Sequence, residues 1–199
     1  MSRAKQYDRT ELLERAVELF RRQGFNGTST AELVAEFGVN RKSMYAEFGS
    51  KQELFEAALE RYNSKHLTGV LAPLEAPEAS IDAIRQAFHG YASASEGPFR
   101  GLGCLMCNTA VERAALDPGS ARYVDAYLER LTLAFRHALN SAQEGGEIHP
   151  TADLDEMAGF LTTMLIGMAA SVRAEAPPAQ LWAAYKVMTG VVEGLSATE

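Results

Sequence analysis

Three times within the first 53 residues a side chain able to cap a helix is followed, three positions on, by a glutamate: Asp8 and Glu11, Ser29 and Glu32, Ser50 and Glu53. Such a pair is a capping box, in which two backbone N–H groups at a helix start are satisfied reciprocally. Each opens a run whose apolar residues recur at three- and four-residue steps. The first run puts Leu12, Leu13, Ala16, Val17 and Phe20 on one face and stops at Gly24. The second, with Leu33, Val34 and Phe37, is two turns long and stops at Gly38, a residue type that tolerates a left-handed C-terminal turn. Between it and Ser50 a third helix starts at Asn40, turns Met44 and Phe48 inward and stops at Gly49. Punctuation this dense dictates a stack of short helices.

The fourth helix starts at Ser50 and carries Phe55, Leu59 and Tyr62 inward until Pro73 is expected to end it. Residues 73–79, "PLEAPEA", read as a connector. Helix then resumes from Ser80 with Ile81, Ile84, Phe88 and Tyr91 inward; "EGPFRG" interrupts it, and a short helix in "LGCLMCNTAVERAA" is expected to end at "LDPGS". A long amphipathic helix with Tyr123, Tyr127, Leu131 and Phe135 runs to about Ser141, and Asp153 caps the next. After "APP" comes a last helix bearing Leu181, Trp182, Tyr185, Met188, Val192 and Leu195. No β-alternating run of useful length occurs, so the fold class is all-α, with about nine helices. The division expected is a three-helix domain over 1–52 and a larger helical domain over 53–199, with the fourth helix linking them from residue 51.

At 199 residues the chain can bury a core without disulfide or metal. No apolar run approaches the roughly 18 residues that span a bilayer, and the N-terminus leads into charge, so no signal peptide, no membrane partner and a cytoplasmic location are expected. The net charge of −7 is unevenly spread: residues 1–52 hold 9 Lys+Arg against 7 Asp+Glu, and the rest hold 10 against 19. The local field, not the total, steers a partner. No cofactor is expected. The histidines His66, His89, His137 and His149 lack metal-ligand spacing, no nucleophile and base fall in a recognisable arrangement, and no enzyme is expected.

Helices two and three are joined by "FGVN", a short glycine-containing turn with the shape of a helix-turn-helix. With Met44 and Phe48 inward, the wheel turns Lys42, Ser43, Tyr45 and Ala46 outward, and Arg41 sits at the exposed first turn. Arg and Lys reach guanine edges or phosphates, hydroxyls bond phosphate oxygens, and helix N-termini favour anions. Thr30 and Lys51 present two further helix N-termini. On the residues alone, a solvated three-helix cap accounts for the same pattern.

The stretch "GFNGTSTAELVAEFGVNRKSMYAEFGSKQELFEAAL" resembles the N-terminal domain of the TetR/AcrR family of bacterial transcriptional regulators, over roughly residues 8–60. The resemblance implies double-stranded operator DNA as partner, with Thr30, Ser43, Tyr45 and Lys51 at phosphates and Arg41 and Lys42 near bases. Two positions depart from the pattern: Ala31, where some members carry a longer polar side chain, and Glu47, where an aromatic or histidine is usual. Glu47 either accepts from a cytosine amino group or pairs with a neighbouring Arg or Lys.

The resemblance also makes the C-terminal part an effector-binding and dimerisation domain, its small-molecule pocket enclosed by the middle helices. Phe88, Tyr91, Cys104, Met106, Cys107, Tyr127, Phe160 and Met164 are the pocket or sensing residues expected there, beside a plain core reading of the same side chains. "AGFLTTMLIGMAASV" is apolar on more than one face, and the last two helices are expected to form a homodimer across a twofold axis. Cys104 and Cys107, the only cysteines, stand i, i+3 near a helix start. They read either as small buried hydrophobes or as redox or electrophile sensors, the use that a Gly-Cys-Leu at this helix has in some family members. The expected function is a ligand- or redox-responsive transcriptional regulator, commonly a repressor, on a palindromic operator. A helical small-molecule-binding protein or a thiol-dependent enzyme without DNA binding are the alternatives.

Overall fold

In the computed structural model, residues 7–112 and 118–196 are described. Ten α-helices follow one another: α1 Arg9–Gly27, α2 Thr30–Phe37, α3 Arg41–Phe48, α4 Lys51–Arg61, α5 Leu67–Glu75, α6 Ile81–Ala94, α7 Leu105–Glu112, α8 Pro118–Glu144, α9 Leu154–Arg173 and α10 Pro178–Glu193. A π-helical turn, Tyr62–His66, carries the backbone from α4 into α5 without a break, so the described residues form nine rods. They contain no β-strand; an isolated bridge between Ile148 and Ser196 ties the turn after α8 to the C-terminal end.

The caps follow the sequence closely. Ser29 and Glu32 form a complete capping box, with the Ser29 hydroxyl accepting the Glu32 N–H at 3.2 Å and the Glu32 carboxylate accepting the Ser29 N–H at 2.7 Å. Asn40 accepts the Ser43 N–H at 2.8 Å, and Ser50 accepts the Glu53 N–H at 3.1 Å. At the first helix the box is only half made: Asp8 accepts from the Thr10 N–H, while Glu11 turns to Arg15 one turn on. Gly24 breaks α1 with φ 76° and ψ 174°, as the stop read there requires.

Pro73 does not end its helix. It lies inside α5, which runs to Glu75. With only two helical residues after it, this proline gives up the single bond its own N–H would have made, and the partner there is a glycine, Gly69, which adds no side chain to the crowding. Residues 113–117, which include part of the stop read after α7, lie outside the described residues; Pro118 stands first in α8, the position where a missing N–H costs least.

The 27-residue α8 is the spine. Its buried stripe of Tyr127, Leu131, Ala134, Phe135 and Ala138 meets α4 to α7 on one side and α9 on the other. Phe20, Phe25 and Phe55 interlock where α1 packs on α4, with ring centroids 4.9 to 6.2 Å apart. Burial of each such ring contributes about 1.5–3 kcal/mol.

The end of α1 is also bolted to α7 and α9 by polar groups. The Glu112 carboxylate accepts the backbone N–H groups of Phe25 at 3.1 Å and Asn26 at 2.7 Å. Arg173 donates through Nη1 to the carbonyls of Arg22 and Gly101 at 2.8 and 2.7 Å. Arg21 Nε donates to the Gly103 carbonyl at 2.8 Å, and Asn108 Nδ2 reaches the Arg21 carbonyl. The first helix is thus held to the middle of the chain by hydrogen bonds as well as by its apolar stripe.

Candidate nucleic-acid interface and ligand cavity

Three helix N-termini converge at the α1–α4 end. Gly38 adopts φ 65°, ψ 23° and donates its N–H to Val34, so α2 closes in a left-handed turn and α3 can leave at a new angle. Met44 and Phe48 are buried, and Phe37 lies 6.2 Å from Phe48, which fixes the roll of α3 about its axis. That roll leaves Arg41 and Lys42 exposed and Ser43 and Tyr45 half-buried.

The side chains read as DNA contacts lie on this outward face. Tyr45 links α3 to α2 through its hydroxyl, 3.4 Å from the Thr30 hydroxyl, and Arg41 lies 5.7 Å over its ring. The Thr30 hydroxyl, then Arg41, draws the Tyr45 phenol below its ordinary range. Lys51 opens α4 with its ammonium 4.1 Å from the centroid of Phe25. Arg41, Lys42 and Lys51 therefore stand at or beside the positive ends of two helices, where both charge and backbone N–H groups favour an anion.

Glu47 is not on that face. Its side chain is 6% exposed and turns under α3 to Arg9, whose Nε lies 3.4 Å from one carboxylate oxygen, while the Tyr7 hydroxyl donates to the other. Arg9 in turn covers the Phe48 ring at 5.2 Å. Of the two roles open to Glu47 in the sequence, the geometry is that of the ion pair, and the partner comes from the N-terminal end rather than from α3 itself.

A cavity of about 430 Å³ lies between α5, α6 and the loop after α6, with Leu67, Val70, Pro73, Ala87 and Tyr91 on its walls. Of the sensing residues read from the sequence, Tyr91 lines it. Phe88 is core, packed 5.7 Å from Phe135, and Met106, Cys104, Cys107 and Tyr127 are buried behind the wall. Phe160 and Met164 line instead a groove between α9 and α10 with Gly167 and Ala184, on the outer side of the bundle. Helical periodicity marks both classes as apolar and does not say which side of a two-sided helix they occupy. The cavity residues that sequence reasoning missed are Tyr62, Phe99, Gln86 and above all Arg21. A signal existed for the last: Arg21 stands four residues after Val17, on the apolar stripe of α1.

Behind the cavity lies a thiol and phenol cluster. The neighbouring Cys107 thiol first, then the Cys107 and Met106 backbone and the Tyr62 hydroxyl, draw Cys104 down from near 9 to about 6 against the burial that opposes it. Cys107 is pushed far up by Cys104 and by burial. Burial first, then the Cys104 charge, also raises Tyr62, Tyr91 and Tyr127, so all three remain phenols. No group of three or more potential metal ligands occurs among the described residues, which do not include the side chain of His66.

Comparison with known proteins decides the family. Residues 12–58 match the family described as bacterial regulatory proteins, tetR family, and residues 79–188 match the tetracyclin repressor-like C-terminal domain. The chain belongs to the TetR family. It is a helix-turn-helix, DNA-binding transcriptional regulator. YezE of Bacillus subtilis (strain 168), an HTH-type transcriptional regulator, is 35% identical over 162 residues, covering 81% of this chain and 84% of YezE. ComR of Escherichia coli (strain K12), an HTH-type transcriptional repressor, is 32% identical over 181 residues, covering 86% and 82%. The fold is similar to that of a cysteine-substituted form of the TetR family regulator CifR in complex with 26-base-pair operator DNA, with a TM-score of 0.81 at 25% identity, covering 94% of this chain and 98% of that one. Among the described residues of this TetR-family chain, no helix is long and apolar enough to cross a membrane.

Proposed function

We propose that the protein is a cytoplasmic, non-enzymatic repressor that binds a palindromic operator as a homodimer and lets go when its cavity is filled. The observation that carries this is the common outward face of Thr30, Arg41, Lys42, Ser43, Tyr45 and Lys51, which gathers cations, hydroxyls and helix N-termini on one short surface. Phosphate contacts by Thr30, Ser43, Tyr45 and Lys51 set the register, and Arg41 and Lys42 read base edges. Residues 1–52 form the DNA-binding domain and 53–199 the effector and dimer domain. The repressors among its relatives and the CifR–operator complex support the assignment.

The dimer surface is the outer side of α9 and α10. Val187 is 64% exposed, and Phe160 and Val191 are also exposed there beside a groove with Gly167 and Met164. A bundle of two helices from each copy would cover that face and set two α3 helices on successive major grooves. Gel shifts with the DNA flanking its own gene, run beside sedimentation of the free protein, test both halves of the proposal. A monomer, or no preference for any of that DNA over random duplex, would refute it.

A second mode of release is favoured by the Cys104–Cys107 pair, a thiolate-prone sulfur placed directly behind the cavity wall. If it operates, oxidised protein binds the operator more weakly than reduced protein, and Cys104→Ser removes the difference.

A further inference from the structure

The cavity wall carries its charge at one point. Around Leu67, Val70, Pro73 and Ala87 it carries two phenols, one amide and a single ionised side chain, Arg21; among the described residues no Asp, Glu or Lys lines it. Among the described residues, the other partly covered arginines either hold a carboxylate or, like Arg173, spend their Nη donors on backbone carbonyls. Arg61 pairs with Glu14, Arg85 with Asp82 and Glu193, and Arg130 with Glu75. Among the described residues no carboxylate pairs with Arg21. Its Nε–H is spent on the Gly103 carbonyl at 2.8 Å, and its guanidinium is flanked by the Tyr62 ring at 5.9 Å and the Phe99 ring at 5.5 Å. The backbone bond and the two rings orient the guanidinium and leave the Nη donors for a partner.

A cation drawn partly out of water without a counter-ion is costly, and the cost is recovered by an anion that accepts from its planar fork. A cavity of about 430 Å³ lies in the range of small-molecule sites. Phe99, 52% exposed, and the exposed Gln86 and Gly90 place the mouth beside the guanidinium, where an acid group enters last.

We propose that the cavity binds a small amphipathic acid, its apolar body between α5 and α6 and its carboxylate on Arg21. Resting on the regulator function above, this also gives the ligand a direct hold on the DNA-binding end. Arg21 belongs to α1, its carbonyl is held by Asn108, and the next residue's carbonyl is held by Arg173. A carboxylate on the Nη donors, beside the Gly103 carbonyl on Nε, therefore acts on the joint that fixes α1 against α7 and α9.

Calorimetric titration of the full chain, without DNA, with hexanoate, octanoate, decanoate and dodecanoate, each beside the alcohol of equal length, tests the ligand class. At the best-fitting length the acid should bind at least about tenfold tighter than its alcohol, and added salt should narrow the gap. In Arg21→Met the preference should fall to near unity with alcohol binding retained, and Arg21→Lys should keep part of it. Equal affinities in the unmodified protein, or no saturable binding of any acid, would overturn the proposal without recourse to a variant. Gel shifts separate the two levels: a protein that fails to shift DNA in the absence of any acid refutes the regulator function, whatever the acids do. A protein that shifts DNA and prefers acids, yet holds DNA equally well when saturated, refutes the coupling through Arg21.

Discussion

Replacing Glu112 by alanine removes two charge-assisted hydrogen bonds at once, those to the backbone N–H groups of Phe25 and Asn26 at 3.1 and 2.7 Å. Bonds of this kind contribute about 1.5–3 kcal/mol each when buried. Asn26 is exposed and water replaces the carboxylate there, so the lower end applies to one bond and less than that to the other. The net loss expected is about 2 kcal/mol, which for a chain of this length is a fall in Tm of roughly 4–8 °C. Glu112→Gln keeps one neutral acceptor and should lose about half as much. Thermal unfolding by circular dichroism at one fixed protein concentration measures both, the concentration being held because self-association of the kind proposed above would shift the midpoint. The crowding at Gly24 supplies a control: a Cβ added there would lie 2.4 Å from the Glu112 carboxylate, on a backbone at φ 76° that disfavours any side chain. Gly24→Ala should therefore destabilise in the unmodified background, and less so beside Glu112→Ala. If Glu112→Ala melts with the unmodified protein, the carboxylate does not hold the joint and the reasoning fails.

Glu47→Ala should cost about 1–2 kcal/mol, discounted for the half-exposed Arg9 partner, and leave base preference unchanged; unaltered stability with a changed operator preference in a selection from random duplexes would show that Glu47 reads DNA after all. Both thiols are buried, so alkylation followed by mass spectrometry should be slow, with Cys104 modified before Cys107 and at a lower pH than an ordinary thiol requires. Because the folded value lies below the unfolded one, the stability this thiolate contributes is complete above the ordinary thiol range and is lost as pH falls through about 6; a rate that climbs only above pH 8 contradicts it. Lys51→Ala should weaken binding to all duplexes alike and reduce the salt slope by about one, whereas Lys42→Ala should also relax base preference, a contrast read by salt titrations on specific and random DNA.

What could be read from the sequence was whatever is fixed within a turn or two of chain. Ser29, Asn40 and Ser50 announce their helices because a cap and its N–H partner are three residues apart. The helix-turn-helix follows from these and from Gly38. The outcome at Glu47 turned on Arg9, 38 positions away, and Arg21 became a cavity residue only once Gly103 and Phe99 were brought to it from across the chain. Phe160 and Tyr91 carry the same helical signal yet line different recesses, since the apolar surface that a second copy would cover looks, in one chain, like core. Pro73 misled for a different reason: it costs its helix the bond to Gly69, yet only two helical residues follow it and burial of Leu71 and Leu74 holds the turn in place.

The π turn at Tyr62–His66 sets a phase. It holds one residue more than the α ladder needs, and each residue of an α-helix advances the side chains by about 100° around the axis. The DNA-facing helices precede it, and the cavity residues Leu67, Val70 and Pro73 follow it. Deleting Ser64 should therefore leave the helices before it in place while swinging those three side chains a quarter-turn or more off the cavity, and Leu71 and Leu74 off the core with them, so that acid binding vanishes and the melting temperature falls. Retention of acid binding in that deletion would show that the wall does not depend on this phase. In such a protein the spacing between what is read and what is sensed is counted in single residues.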